Sequence, residues 1–184
     1  MMTTNNPGVA LLRMQISTTA QFLKMILQDV TSEQAHWLPP GSANPIGATY
    51  VHTVMGTDGV IHGMLQGKLP LFATEWVGKM GISEMPPMPT PETPGMPDWS
   101  EWARRVQVDM EAMHQYADAV HAAVDTYLES LTDADLEREV SGFGPMGPSP
   151  AGKLISIAAL FDTLGHCGEI ACLKGYQGLK GYPM

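Results

Sequence analysis

Apolar positions from Val9 to Val30 fall at Leu12, Ile16, Leu23, Ile26 and Val30 with Thr19 in register, in steps of four and three. That period predicts a helix with one narrow buried stripe. Thr31-Ser32-Glu33-Gln34 then reads as a capped short turn, and Leu38-Pro39-Pro40-Gly41 as a break. A second helix is predicted over 45–66, with Asn44 as cap and Pro45 at the first helical position. Its glycines Gly47, Gly56 and Gly59 weaken helix propensity and are expected where another helix approaches closely. From Asp98 to Leu131 the pattern Trp102, Val106, Met110, Met113, Ala117, Val120, Val124, Tyr127, Leu131 predicts one long amphipathic helix, opened by an Asp98/Glu101 capping box. Ser149-Pro150 opens a fourth helix that is apolar nearly all round from Leu154 to Leu173, and so is expected to be buried on most faces.

Between the second and third helices, Met85–Pro97 holds six prolines in thirteen residues, which excludes helix and central strand and predicts a long Pro/Met-rich crossover loop. The turn after the third helix, Ser130 to Leu136, echoes the turn after the first: a long helix, then a capped turn. With no alternating strand pattern of useful length, the expected fold class is all-α, a four-helix bundle forming a single domain over 1–184. Residues 1–7 are expected to fray and the Gly-rich tail 175–184 to pack as an irregular strap.

Composition narrows the function classes. Hydrophobic residues make up 44% and charged residues 16%, enough for a sizeable core. The net charge of -9 leaves no basic face to neutralise phosphates, so nucleic acid is not an expected partner. No apolar run looks long enough to span a membrane, and no signal peptide is apparent at the start. Cys167 and Cys172 lie five apart on one helix and point in different directions, which argues against a disulfide and for a reducing, cytoplasmic setting. Fourteen methionines suggest a pliable core or pocket wall.

The chemistry-bearing residues concentrate in the fourth helix. Asp162, His166 and Glu169 sit at offsets of four and three on one face of an otherwise apolar stretch. A buried carboxylate needs a charge, a donor or a metal. His52, in the apolar run TYVHTVM of the second helix, offers a third ligand. Two imidazoles and a carboxylate with open positions suit a divalent ion. The same residues also read as a core histidine and an intrahelical ion pair, and that alternative stays open at this level. Glu169 is read as orienting a ligand or acting as a base. Asp58 and His62 read as a surface or supporting pair, and His36, His114 and His121 as solvated. Trp37, Trp76, Trp99 and Trp102 line the mouth of a site or pack the core. Nucleotide-binding glycine loops, serine-hydrolase elbows, C-x-x-C and H-E-x-x-H are absent.

Three segments together, TSEQAHWLPPGSANPIG, TYVHTVMGTDGVIHGMLQG and LFDTLGHCGEIACLKGYQGLKGYP, resemble the DinB-like (DinB/YfiT) superfamily over nearly the whole chain. The resemblance implies a metal-binding four-helix bundle, with one His from the second helix and an H-x-x-x-H pair from the fourth. His52 and His166 match two of those positions, and Asp162 stands where the family has its middle His. This departure implies either a harder site, shifted toward Fe, Mn or Zn and away from Ni, or a member without metal. Relatives include transferases that use low-molecular-weight thiols. The implied activity is therefore a divalent-metal-dependent small-thiol S-transferase acting on a small-molecule substrate, with the 80–97 loop bordering the pocket and a homodimer expected. A metal-dependent hydrolase and a non-catalytic bundle binding a hydrophobic small molecule are the alternatives.

Overall fold

The computed structural model describes residues 6–88, 97–141 and 147–183. Four long helical rods make the bundle: α1 (Pro7–Leu27), α3 (Ile46–Asp58, continued by a π-helical segment Gly59–Leu65), α5 (Met110–Glu129), and a last rod of α7 (Ala151–Ser156), a π-helical segment Ile157–Phe161 and α8 (Asp162–Tyr176). Short helices α2 (Ser32–His36), α4 (Ser100–Ala103) and α6 (Asp133–Leu136) join them. α1 packs on α5 and α8, and α3 packs on the same two, so α1 and α3 are diagonal. The expected bundle is present, and its buried stripe on α1 runs through Leu12, Ile16, Thr19, Leu23 and Ile26 as the four-three period requires. The two echoing turns are both capping boxes: Thr31 with Gln34, and Thr132 with Asp135.

The third helix is shorter than its periodicity predicts. It begins at Met110, capped by Asp109, whose carboxylate accepts from Glu111 and Ala112 backbone N–H. Asp98 accepts from Ser100, and α4 lasts four residues without the Asp98/Glu101 box. Val106 is buried as expected, its N–H donating to Trp102 O, and Val108, which lies off the predicted stripe, is buried in an extended crossing strip. Ile82 bridges Val108, Ser83 N donates to Gln107 O while Gln107 N donates to Ser83 Oγ, and Val108 N donates to His36 Nε2 at 2.8 Å. Those tertiary partners replace the helical bonds that the local pattern would have made. His36 is thus a structural pin rather than a solvated residue.

Other departures have equally local causes. Pro45 is the N-cap of α3 rather than its first residue, and Asn44 does not cap it. Pro150 caps the fourth rod, and Ser149-Pro150 pairs antiparallel with Glu139–Val140 as a two-residue ribbon. α1 lacks a cap from its own neighbour; Asp133 of α6 accepts from Gly8 and Val9 N–H instead. Gly47 marks a close approach, since a Cβ there would lie 3.3 Å from Ala35 O and Val108 Cγ2, whereas Gly56 and Gly59 face open space. The tail is a strap as expected: a Cβ at Gly181 would meet Ala171 O at 2.6 Å, and Tyr182 stacks on Phe22. Residues 1–5, 89–96 and 142–146 fall outside the described residues, and with them part of the expected frayed start and of the crossover loop.

Continuous through its π segment, the rod Ala151–Tyr176 is long enough to cross a membrane and holds an 18-residue window of mean hydropathy 1.3, contrary to the expectation from the sequence. In the bundle 39% of that window is buried, against α1 and α3 among others. Its Lys174 is buried, with Nζ donating to Ile26 O and to the Asp29 carboxylate, so the end of α1 is tied to α8.

Candidate metal centre

His52 from the middle of α3 and Asp162 and His166 from the start of α8 converge, each half-buried. One ligand atom from each lies within 4.8 Å of the other two. The two imidazoles meet edge to face with centroids 5.0 Å apart. Metal–ligand bonds of about 2.1 Å at tetrahedral angles put neighbouring ligand atoms roughly 3.4 Å apart, so small side-chain rotations close the group on one ion. The Asp162 Oδ1 to His166 Nε2 distance of 3.6 Å is already near that value and too long for a hydrogen bond. The spacing is compatible with an i,i+4 ion pair and with a shared cation alike.

Second contacts orient the imidazoles. His166 Nδ1 and Glu169 Oε2 are 2.8 Å apart, which directs Nε2 toward Asp162 and His52. This bond, above all, raises the His166 pKa. His52 moves the other way: burial lowers its pKa, against the pull of Asp162, so its neutral, ligating form is favoured. The edge of Trp99 meets His52 at 5.3 Å, and Trp99 Nε1 donates to Pro87 O at 3.0 Å. Glu169 lines neither of the cavities beside the group; its contact there is the hydrogen bond with His166 Nδ1.

Two cavities flank the group. One, about 300 Å³, is walled by Met55, Val60, Met64, Phe72, Leu154 and Ile157 and touches His52 and Asp162. Pro87, Met88 and Pro97 border it, so the described ends of the Pro/Met-rich loop lie where the sequence suggested. Gly56 and Gly59 form part of this wall, and their missing side chains leave room rather than admit a helix. The other cavity, about 240 Å³, touches His52 and His166 and is walled by Asn44, Thr49, Trp99 and Trp102.

Neither π segment was readable from the sequence. Both rods that carry ligands widen beside the apolar cavity, at Gly59–Leu65 and at Ile157–Phe161, immediately before Asp162. Thr57 Oγ1 donates to Ala158 O at 3.1 Å across the two rods, satisfying a carbonyl of the widened turn. A glycine at 59 was the only local hint.

The other candidates separate from this centre. Asp58 and His62 are buried, not on the surface: Asp58 accepts from Leu71 N, Phe72 N and Tyr116 Oη, and His62 Nδ1 lies 2.6 Å from it. The pair anchors the start of the crossover segment. His114 bonds Tyr50 Oη at 2.9 Å, and burial depresses the pKa of both His114 and His121, so neither is simply solvated. Both cysteines are free; burial pushes the Cys167 thiol up to about 12, which leaves it inert. Trp102 and Trp76 pack the core, and of the tryptophans Trp99 alone lines both cavities.

The sequence pattern of the DinB superfamily matches residues 15–170. Among solved structures, the chain is similar to a conserved protein from Enterococcus faecalis, with a TM-score of 0.73 at 18% identity, covering 90% of this chain and 94% of that one. The likeness at that identity is one of fold. No curated protein matches the chain.

Proposed function

Because the chain belongs to the DinB superfamily, we propose that it is a divalent-metal-dependent enzyme that transfers a small thiol to an electrophile. The observation that carries this reading is the convergence of His52, Asp162 and His166 from two rods, with ligand atoms mutually within 4.8 Å. The donor set of two imidazoles and one carboxylate fits Zn, Fe or Mn better than Ni. A divalent ion held there supplies Lewis acidity that favours the thiolate of a bound thiol at neutral pH. Glu169 holds His166 in one tautomer and rotation. The Met55, Met64 and Phe72 wall binds the apolar electrophile and excludes water from it. Trp99 fixes the His52 ring and closes the site toward Pro87. A cytoplasmic setting and a homodimer belong to the same reading; light scattering tests the second.

The test is elemental analysis of purified protein, then thiol conjugation to chlorodinitrobenzene with and without chelator. Stoichiometric metal that is lost in His52→Ala and His166→Ala, together with chelator-sensitive conjugation, supports the proposal. Metal-free protein whose stability ignores chelator overturns it. The apolar cavity would then favour a non-catalytic bundle that holds a hydrophobic small molecule. Metal with hydrolysis but no conjugation selects the hydrolase.

A further inference from the structure

The larger cavity is apolar along most of its wall but ends on a carboxylate. Met55, Met64, Phe72 and Leu154 line it, Asp162 borders it, and no lysine or arginine joins the described lining. Among the described residues, the basic group within salt-bridge reach of Asp162 is His166, whose Nε2 stands 3.6 Å off, too far for a hydrogen bond. The Asp162 side chain is 36% exposed, so an occupant of the cavity can reach it. A neutral occupant would strip water from this carboxylate and return no partner, and an anion would meet its charge directly. A cationic end on an apolar body satisfies both parts of the cavity. Phe72 and Trp99 add aromatic rings, and Met55, Met64 and Met88 polarisable thioethers, which suit such a ligand. The net charge of -9 also draws cations to the chain. The volume, about 300 Å³, is twice the roughly 150 Å³ that takes one benzene ring, which leaves room for a short alkyl chain beyond a ring.

We infer that in the metal-free chain this cavity binds a hydrophobic primary amine, with an aryl-alkyl body against Met55, Phe72 and Leu154 and an ammonium donating to the Asp162 carboxylate. The ammonium and a divalent ion are alternative partners for that one carboxylate. Amine binding therefore goes beyond the metal-dependent transfer, needs no thiol, and stands or fails independently of it.

The experiment titrates chelator-treated protein at neutral pH with phenylpropylamine, phenylpropanol and phenylpropionate, read by calorimetry and tryptophan fluorescence. The amine is expected to bind about 10-fold more tightly than the alcohol, which keeps the body and a donor but lacks the charge, with the carboxylate weakest. Asp162→Asn keeps the side-chain shape and removes its charge, so the amine falls to the affinity of the alcohol while the alcohol is unchanged. Gly56 lines the cavity, and a Cβ there would meet nothing within 4 Å. Gly56→Leu therefore fills the space from a helical position, weakening amine and alcohol alike by about 10-fold or more while the melting temperature is retained. Equal affinity of amine and alcohol, a preference that survives Asp162→Asn, binding untouched by Gly56→Leu, or no saturable binding overturns the inference. Stoichiometric metal in the purified protein with no amine binding after chelation overturns it and leaves the metal reading standing; Asp162-dependent amine binding by a chain that takes no metal supports it and refutes the metal reading.

Discussion

Replacing Glu169 tests the metal centre at a contact that touches His166 without itself belonging to the proposed ligand set. Glu169→Gln keeps an oxygen at the acceptor position 2.8 Å from His166 Nδ1 but removes the charge. A hydrogen bond to a charged group contributes about 1.5–3 kcal/mol and a neutral one about 0.5–1.5, a difference near 1–1.5 kcal/mol. The His166 and Glu169 side chains are 25% and 35% exposed, so water screens part of that difference. The expected loss in Zn²⁺ affinity is about 5-fold for Glu169→Gln and about 10–100-fold for Glu169→Ala, where orientation goes as well. The pH dependence carries a sharper signature. The same bond raises the His166 pKa, so in wild type a proton competes with metal as pH falls through that raised value. Glu169→Gln lowers the pKa and removes competition where it is strongest. Its deficit must therefore be largest at mildly alkaline pH and shrink toward acid. Competition against a chromophoric chelator, repeated at about pH 8 and about pH 6, measures both. Unchanged affinity in Glu169→Ala, or a Gln deficit that grows toward acid, would refute the reasoning.

Asp58 is completely buried and holds Leu71 N, Phe72 N, Tyr116 Oη and His62, so Asp58→Ala should cost about 3–5 kcal/mol in denaturant unfolding; a loss under about 1 kcal/mol would show that those donors find other partners. Gly81 has φ +76°, and a Cβ there would sit 2.8 Å from Asp109 O. Gly81→Ala should thus loosen the entry to α5 and lower stability by more than about 1 kcal/mol, checked by urea titration. The Asp29 carboxyl lies below its usual range because Lys174 donates to it. Its stabilisation is therefore full above the unfolded carboxyl range and lost as pH falls through the depressed folded value, and Asp29→Asn should flatten the acid limb of a melting-temperature profile.

Local periodicity determined a great deal: four rods, the buried stripe of α1 and both capping boxes follow from residue spacing and backbone chemistry. The Asp162, His166 and Glu169 face also follows, because helix geometry alone puts residues at steps of four and three on one side. Tertiary structure decided what no local window contains. Whether Gln107 and Val108 sit in helix or in a crossing strip depended on Ser83, Ile82 and His36, between 24 and 72 residues away. The fate of Asp58 depended on Tyr116 and on the loop after Pro70, which converted an apparent surface pair into a buried anchor. The distance from His52 to the α8 pair, and the cavities on either side of it, arose only when α3 packed against α8 and both rods widened into π turns. A helix period places side chains on a face; only packing decides what that face meets.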